Sequence, residues 1–278
     1  MREITVAHSP DADDAFMFWA LSTERVTVPG VRFVHVLKDI ESLNRDAFKK
    51  TYDVTAVSIH GYAYLHRDYA LLTAGGSIGD RYGPRVVATR PTTREGLRGR
   101  RVAHPGELTT AYLALKLWQP DCTPVAMDFG AVGDAVKRGD VDAGVIIHEG
   151  QLTYGDEGFT LVQDLGEWWH ADVGLKLPLG ANAIRRDLGQ PLLGQVATAL
   201  KRTIEAGLEH RQEALTHALR YGRGLDRARA DAFVGMYVNA ETVEMSPETR
   251  RSAQLLLDRG HAAGVIPERV ALEFVACA

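Results

Sequence analysis

The stretch from Arg101 to His148 constrains the fold more than any other part of the chain. Short runs of apolar and β-branched residues alternate there with helical patterns. Arg101 to His104 reads as a strand, and Thr109-Thr110 lead a helix to about Trp118. Val125 to Phe129 reads as a second strand, Ala131 to Arg138 as a second helix, and V-D-A-G-V-I-I-H-E-G (Val141 to Gly150) as a third strand and its exit. Alternation at this spacing is the pattern of a parallel α/β sheet with helices on its faces. In the last run Val145, Ile146 and Ile147 are consecutive apolar residues, as in a strand buried on both faces. The run stops at His148. Ligands of open α/β sheets sit beyond the carboxyl ends of strands, and imidazole is the side chain that titrates nearest neutrality, so His148 is the natural general base. The plainer alternative is a histidine that only hydrogen-bonds its loop. Glu149 could orient His148, but as the next residue on an extended chain it is expected to point elsewhere.

With 278 residues the chain has room for two domains of ordinary size. Forty-five per cent hydrophobic and 24 per cent charged residues suit a globular protein in water. A net charge of −4 and the lack of a Lys/Arg block argue against a nucleic-acid surface. Cys122 and Cys277 form neither a metal spacing nor a disulfide framework. The N-terminus runs straight into a strand pattern without a signal-peptide core, and no apolar run approaches membrane-spanning length, so a cytoplasmic protein without membrane insertion is expected.

Before the alternating stretch, Ile4 to Ala7 is a first strand, turned by Ser9-Pro10. Asp11, Asp13 and Asp14 open a helix carrying Phe16, Phe18, Trp19 and Leu21. Acidic residues suit a helix N-terminus, and capping by Asp11 is preferred over a metal site with His8, because the spacing fits no standard loop. Val31 to Val36 is a strand, Asp39 to Phe48 a short helix, and Val54 to Ser58 a strand. Gly75-Gly76-Ser77-Ile78-Gly79 matches the hydrolase pattern G-x-S-x-G. That elbow needs a strand-to-helix turn, whereas Gly83-Pro84 and another strand at Arg85 to Thr89 follow, so a glycine-rich loop is expected. Thr110 and Ala111 stand at a helix start whose exposed amides suit an anionic ligand group such as a carboxylate. Trp168 and Trp169 offer either a stacking surface or, more ordinarily, hydrophobic cover. Ala181 to Ile184 is a strand; beyond Leu188 helices are expected over about 190–220, 226–239 and 247–263, with breaks at Gly222, Gly224 and Pro247.

The expected fold class is α/β with two domains: a larger discontinuous one from 1–90 and 186–278, and a smaller one inserted at 91–185. It resembles the type II periplasmic-binding-protein fold, with a ligand cleft between the domains. Fold alone does not reveal function.

Five motifs carry a narrower resemblance: S-P-D-A-D-D-A-F-M-F-W-A-L, D-I-E-S-L-N-R, E-L-T-T-A-Y-L-A-L, V-I-I-H-E-G-Q-L-T-Y and D-L-G-E-W-W…L-P-L-G. Together, and in this order from Ser9 to the M-Y-V-N at Met236 to Asn239, they resemble the 1,4-dihydroxy-6-naphthoate synthase family of the futalosine route to menaquinone. The resemblance implies lysis of cyclic dehypoxanthine futalosine, a small-molecule carboxylated aromatic substrate, without cofactor or metal. It implies His148 as the base, and it places substrate-binding positions at Asn44, Ala56, Val57, Ser58, Thr110 and Ala111. The chain departs at Asp11-Ala12-Asp13, where many members carry Cys-Pro-Asn. The alternatives are chorismate dehydratase, a sister of the same fold and pathway, and a non-catalytic solute-binding protein. A homodimer is left open.

Overall fold

The computed structural model describes residues 1–221, 226–275 and 277. The expected breaks at Gly222 and Gly224 lie outside the described residues. The described strands are β1 (Arg2–His8), β2 (Val31–Leu37), β3 (Val54–Ser58), β4 (Tyr69–Leu72), β5 (Ser77–Gly79), β6 (Arg85–Ala88), β7 (Arg101–His104), β8 (Thr123–Ala126), β9 (Ala143–Ile146), β10 (Thr160–Asp164), β11 (Leu177–Arg185) and β12 (Phe274–Val275). They form two mixed sheets. One runs β12-β4-β11-β3-β1-β2, with β5 pairing β11; the other runs β10-β6-β9-β7-β8.

The parallel expectation holds only in part. β9 lies parallel to β7, as the strand–helix alternation requires, but its other neighbour, β6, is antiparallel. Pairing also moves the crossings. β6 belongs to the second sheet and β11 to the first, so the chain leaves the first sheet between Gly79 and Arg85 and returns between Asp164 and Leu177. Both crossings precede the expected 90/91 and 185/186, because neither strand carries a local mark of the sheet it will join. Within the expected glycine-rich loop, Ser77–Gly79 is itself a strand, recruited by the edge of β11.

Backbone packs on backbone where the two crossings meet. A Cβ at Gly166 would lie 2.0 Å from the Tyr82 carbonyl oxygen, so only glycine fits there. A single buried apolar cluster spans both sheets, joining Val57, Tyr62 and Leu71 of the first half to Val102, Leu113 and Trp169 of the second, with Leu256 and Leu257 between them. The last two sit on the helix Pro247–Ala262, which starts as Pro247 predicts: Ser246 caps it by accepting from the Thr249 amide at 3.2 Å. The helical region after Leu188 is divided at His210 into Leu192–Glu209 and Arg211–Ala218.

Candidate active site

A cleft opens between the sheets, about 980 Å³ when the adjoining open solvent is included. The ends of β3 and β11 and the helix Ala12–Met17 furnish its first wall. The helix Thr110–Trp118 and the turn after β9 furnish the second. Ala56, Val57, Ser58, Thr110, Ala111 and His148 all line it. Asn44 does not. It is fully buried behind β3, where its side-chain oxygen accepts from the Ser58 amide at 2.9 Å and its amide donates to Ser58 Oγ at 3.0 Å. It therefore holds Ser58 toward the cleft.

Thr109, not Thr110, caps the helix Thr110–Trp118, its hydroxyl accepting from the Tyr112 amide at 3.2 Å. Thr110 Oγ1 donates to the Leu179 carbonyl at 2.6 Å and so ties the helix start to β11. Among the described residues, neither the Thr110 nor the Ala111 amide donates to a protein acceptor. His60 lies behind this corner; burial lowers its imidazole to about 4 and keeps it neutral.

His148 follows β9 in a left-handed backbone conformation, φ 59°, which few non-glycine residues adopt. Phe129 meets its ring edge to face, with centroids 5.1 Å apart. The Gly150 amide donates to Nδ1 at 3.1 Å, and Glu149 Oε2 lies 3.6 Å from the same nitrogen. The expectation that Glu149 points away fails here. It assumed an extended chain, and the left-handed residue turns both side chains to one side.

Glu149 also reaches the first half of the molecule, where Oε1 accepts from the Ala12 amide at 3.4 Å. Asp11 occupies the N-cap position of that helix, but its side chain makes no cap hydrogen bond, contrary to expectation. It accepts instead from Ser9 Oγ at 2.6 Å, while Asp14 accepts from the Ser9 amide at 2.6 Å. Burial, then Asp14, Asp11 and Glu149, push the Asp13 carboxyl well above the usual carboxylate range. Burial and Asp11 push Asp14 up to about 7. Beside them His8 is lowered to about 3 by burial and by His35. Among the described residues no group of three His, Cys, Asp or Glu side chains is placed to hold a metal ion.

Among the described residues no Lys or Arg lines the cleft. What the Thr110 corner offers an anionic ligand group is amides and hydroxyls. Trp168 and Trp169 take no part in the lining. Trp169 is buried, its indole N–H donating to the Lys176 carbonyl and to Ser252 Oγ, so the pair is hydrophobic cover. Sequence reasoning missed Gln151 and Tyr237, which line the cleft and are joined by a 2.6 Å hydrogen bond from the Tyr237 hydroxyl. They are 86 residues apart, and only the fold brings them together.

Two sheets with a cleft between them make the type II periplasmic-binding-protein fold. The fold matches the alkanesulfonate-binding protein SsuA of Xanthomonas axonopodis pv. citri with a TM-score of 0.78 at 15% identity, covering 100% of this chain and 99% of that one. A crystal structure of an Archaeoglobus fulgidus protein is much nearer, with a TM-score of 0.91 and 46% identity over 95% of this chain and 98% of that one. The sequence model of a family described as menaquinone biosynthesis matches residues 4–262. A 1,4-dihydroxy-6-naphtoate synthase of Thermus thermophilus is 38% identical, covering 95% of this chain and 96% of its own. One from Streptomyces coelicolor is 37% identical, covering 95% of each. The chain belongs to the 1,4-dihydroxy-6-naphthoate synthase family of menaquinone biosynthesis, a family of enzymes. No helix among the described residues is long and apolar enough to cross a membrane.

Proposed function

We propose that this chain lyses cyclic dehypoxanthine futalosine to 1,4-dihydroxy-6-naphthoate, with His148 as the general base and no cofactor. The observation that carries the reading is that His148 and the Thr110–Ala111 helix start line one cleft, in a chain 38% identical to a 1,4-dihydroxy-6-naphtoate synthase. The carboxylate of the substrate's aromatic part takes the amides of Thr110 and Ala111, with the Ser58 hydroxyl on the same cleft wall. Held there, the ring presents its acidic C–H to the imidazole. The proton passes to His148, the electron pair left behind moves into the ring, and the bond to the sugar-derived fragment breaks; that fragment leaves with the bonding pair and takes up a proton, while the ring becomes the naphthalene. Aromatisation supplies much of the driving force, so the protein's tasks are to orient the substrate, exclude water and move one proton.

The test is incubation of the purified chain with cyclic dehypoxanthine futalosine and, separately, with chorismate. Naphthoate absorbance from the first and no enolpyruvyl-benzoate from the second is the expected result. Removal of a general base costs about 10²–10⁴-fold, so His148→Asn loses turnover by that factor and keeps its thermal midpoint. Substantial turnover in that variant removes His148 from the mechanism.

A further inference from the structure

We propose that Glu149 is the positioning residue that makes His148 a base, by holding the proton on Nδ1 and so leaving the Nε2 lone pair to the substrate. The proposal rests on the reading of His148 as base. Its ground is a competition at one nitrogen. Nδ1 has two neighbours with opposite demands: the Gly150 N–H at 3.1 Å needs a lone pair there, and Glu149 Oε2 at 3.6 Å needs a proton. If Gly150 keeps the nitrogen, the neutral ring carries its proton on Nε2 and offers the cleft only a donor. If Glu149 takes it, Nδ1–H points at a carboxylate and Nε2 can accept.

Three features favour the second setting during turnover. Glu149 is almost wholly shielded, with 4% of its side chain exposed, against 19% for His148, so its interaction with the ring is weakly screened. Its other oxygen accepts from the Ala12 amide, which fixes the carboxylate across the cleft. Oε2 stands 3.6 Å from Nδ1, within reach of an ion pair, so once Nε2 has taken the substrate proton the resulting imidazolium has a carboxylate beside it. From the opposite helix Asp13 faces Glu149 electrostatically, with Asp11 and Asp14 beside Asp13. Burial raises the carboxyls of Asp13 and Asp14, which lessens the negative charge that this helix turns toward the cleft. In the step itself the substrate C–H bond breaks, its proton joins Nε2, and its electron pair stays on the substrate.

The experiment uses the full chain, ¹⁵N-labelled at histidine, with His148→Asn to assign the His148 signals. With 1,4-dihydroxy-6-naphthoate bound, the parent carries its ring proton on Nδ1, and Glu149→Gln carries it on Nε2. Glu149→Gln also loses kcat by about 10²–10⁴-fold, the scale of a base presented in the wrong tautomer, while KM changes by less than about threefold. A parent complex with the proton on Nε2, or a Glu149→Gln enzyme with parental kcat, overturns the proposal. A purely structural Glu149 would lower the thermal midpoint of the variant and leave tautomer and kcat alone. If Glu149→Gln does not fold, the parent's tautomer decides by itself. Parental turnover in Glu149→Gln beside an inactive His148→Asn defeats only the role of Glu149, whereas an active His148→Asn defeats the base reading.

Discussion

At Asp14 a carboxyl sits mostly out of water, accepts the Ser9 amide and faces Asp11. Its pKa rises from 3.8 to about 7, so between those values the native state binds a proton that the unfolded chain has released. Stability contributed by this group is present at low pH and lost as pH climbs through that window, levelling off above about 7. His8 has the opposite sign. It is lowered from 6.5 to about 3, so between those values the unfolded chain holds the extra proton and stability increases with pH. The two slopes largely cancel in the parent. Asp14→Asn keeps an oxygen for the Ser9 amide but removes one slope, so its thermal midpoint gains on the parent's as pH goes from 4 to 8. Melting curves at pH 4, 6 and 8 check this, and parallel curves would contradict it. That three aspartates open a helix is plain from the sequence. That Glu149 meets the start of this helix is not, because its contact with the Ala12 amide crosses 137 residues.

The end of β3 shows how an element presents a site. Alternation along Val54–Ser58 places Ala56 and Ser58 on one face by period alone. Asn44 then fixes Ser58 with two hydrogen bonds, and it fits because Gly61 on the next helix has no Cβ; one built there would meet Asn44 Oδ1 at 2.6 Å. Asn44→Ala strips a buried amide and hydroxyl of their partner, costing about 1–3 kcal/mol. Chemical denaturation measures that loss, and KM increases because Ser58 is no longer held. A merely lining residue would change KM without the stability. The sequence placed Asn44 near the substrate through resemblance; its burial behind the strand depends on the packing of Ile40–Ala47 and Ile59–Leu65 against β3.

Across the whole molecule, the two sheets are joined more tightly than two crossing strands would suggest. The shared core around Leu256 and Leu257 and the backbone contact at Gly166 leave little slack at the joint. The cleft is instead bridged at its far side by Tyr237 and Gln151. Tyr237→Phe leaves Gln151 Oε1 without that donor and loosens this bridge. The expected result is a KM about tenfold higher, worth about 1.4 kcal/mol, with kcat within twofold; unchanged KM would show that the bridge has no part in holding substrate.

Local pattern was enough to place the alternating elements, the strand that ends before His148 and the helix start at Thr110, because periodicity and capping act over a few residues. Sheet membership of β6 and β11, the inward turn of Glu149 and the pairing of Gln151 with Tyr237 were settled only by tertiary structure. Each depends on which distant backbone or side chain lies opposite, and a strand edge or a carboxyl carries no record of its partner until the core has closed around both.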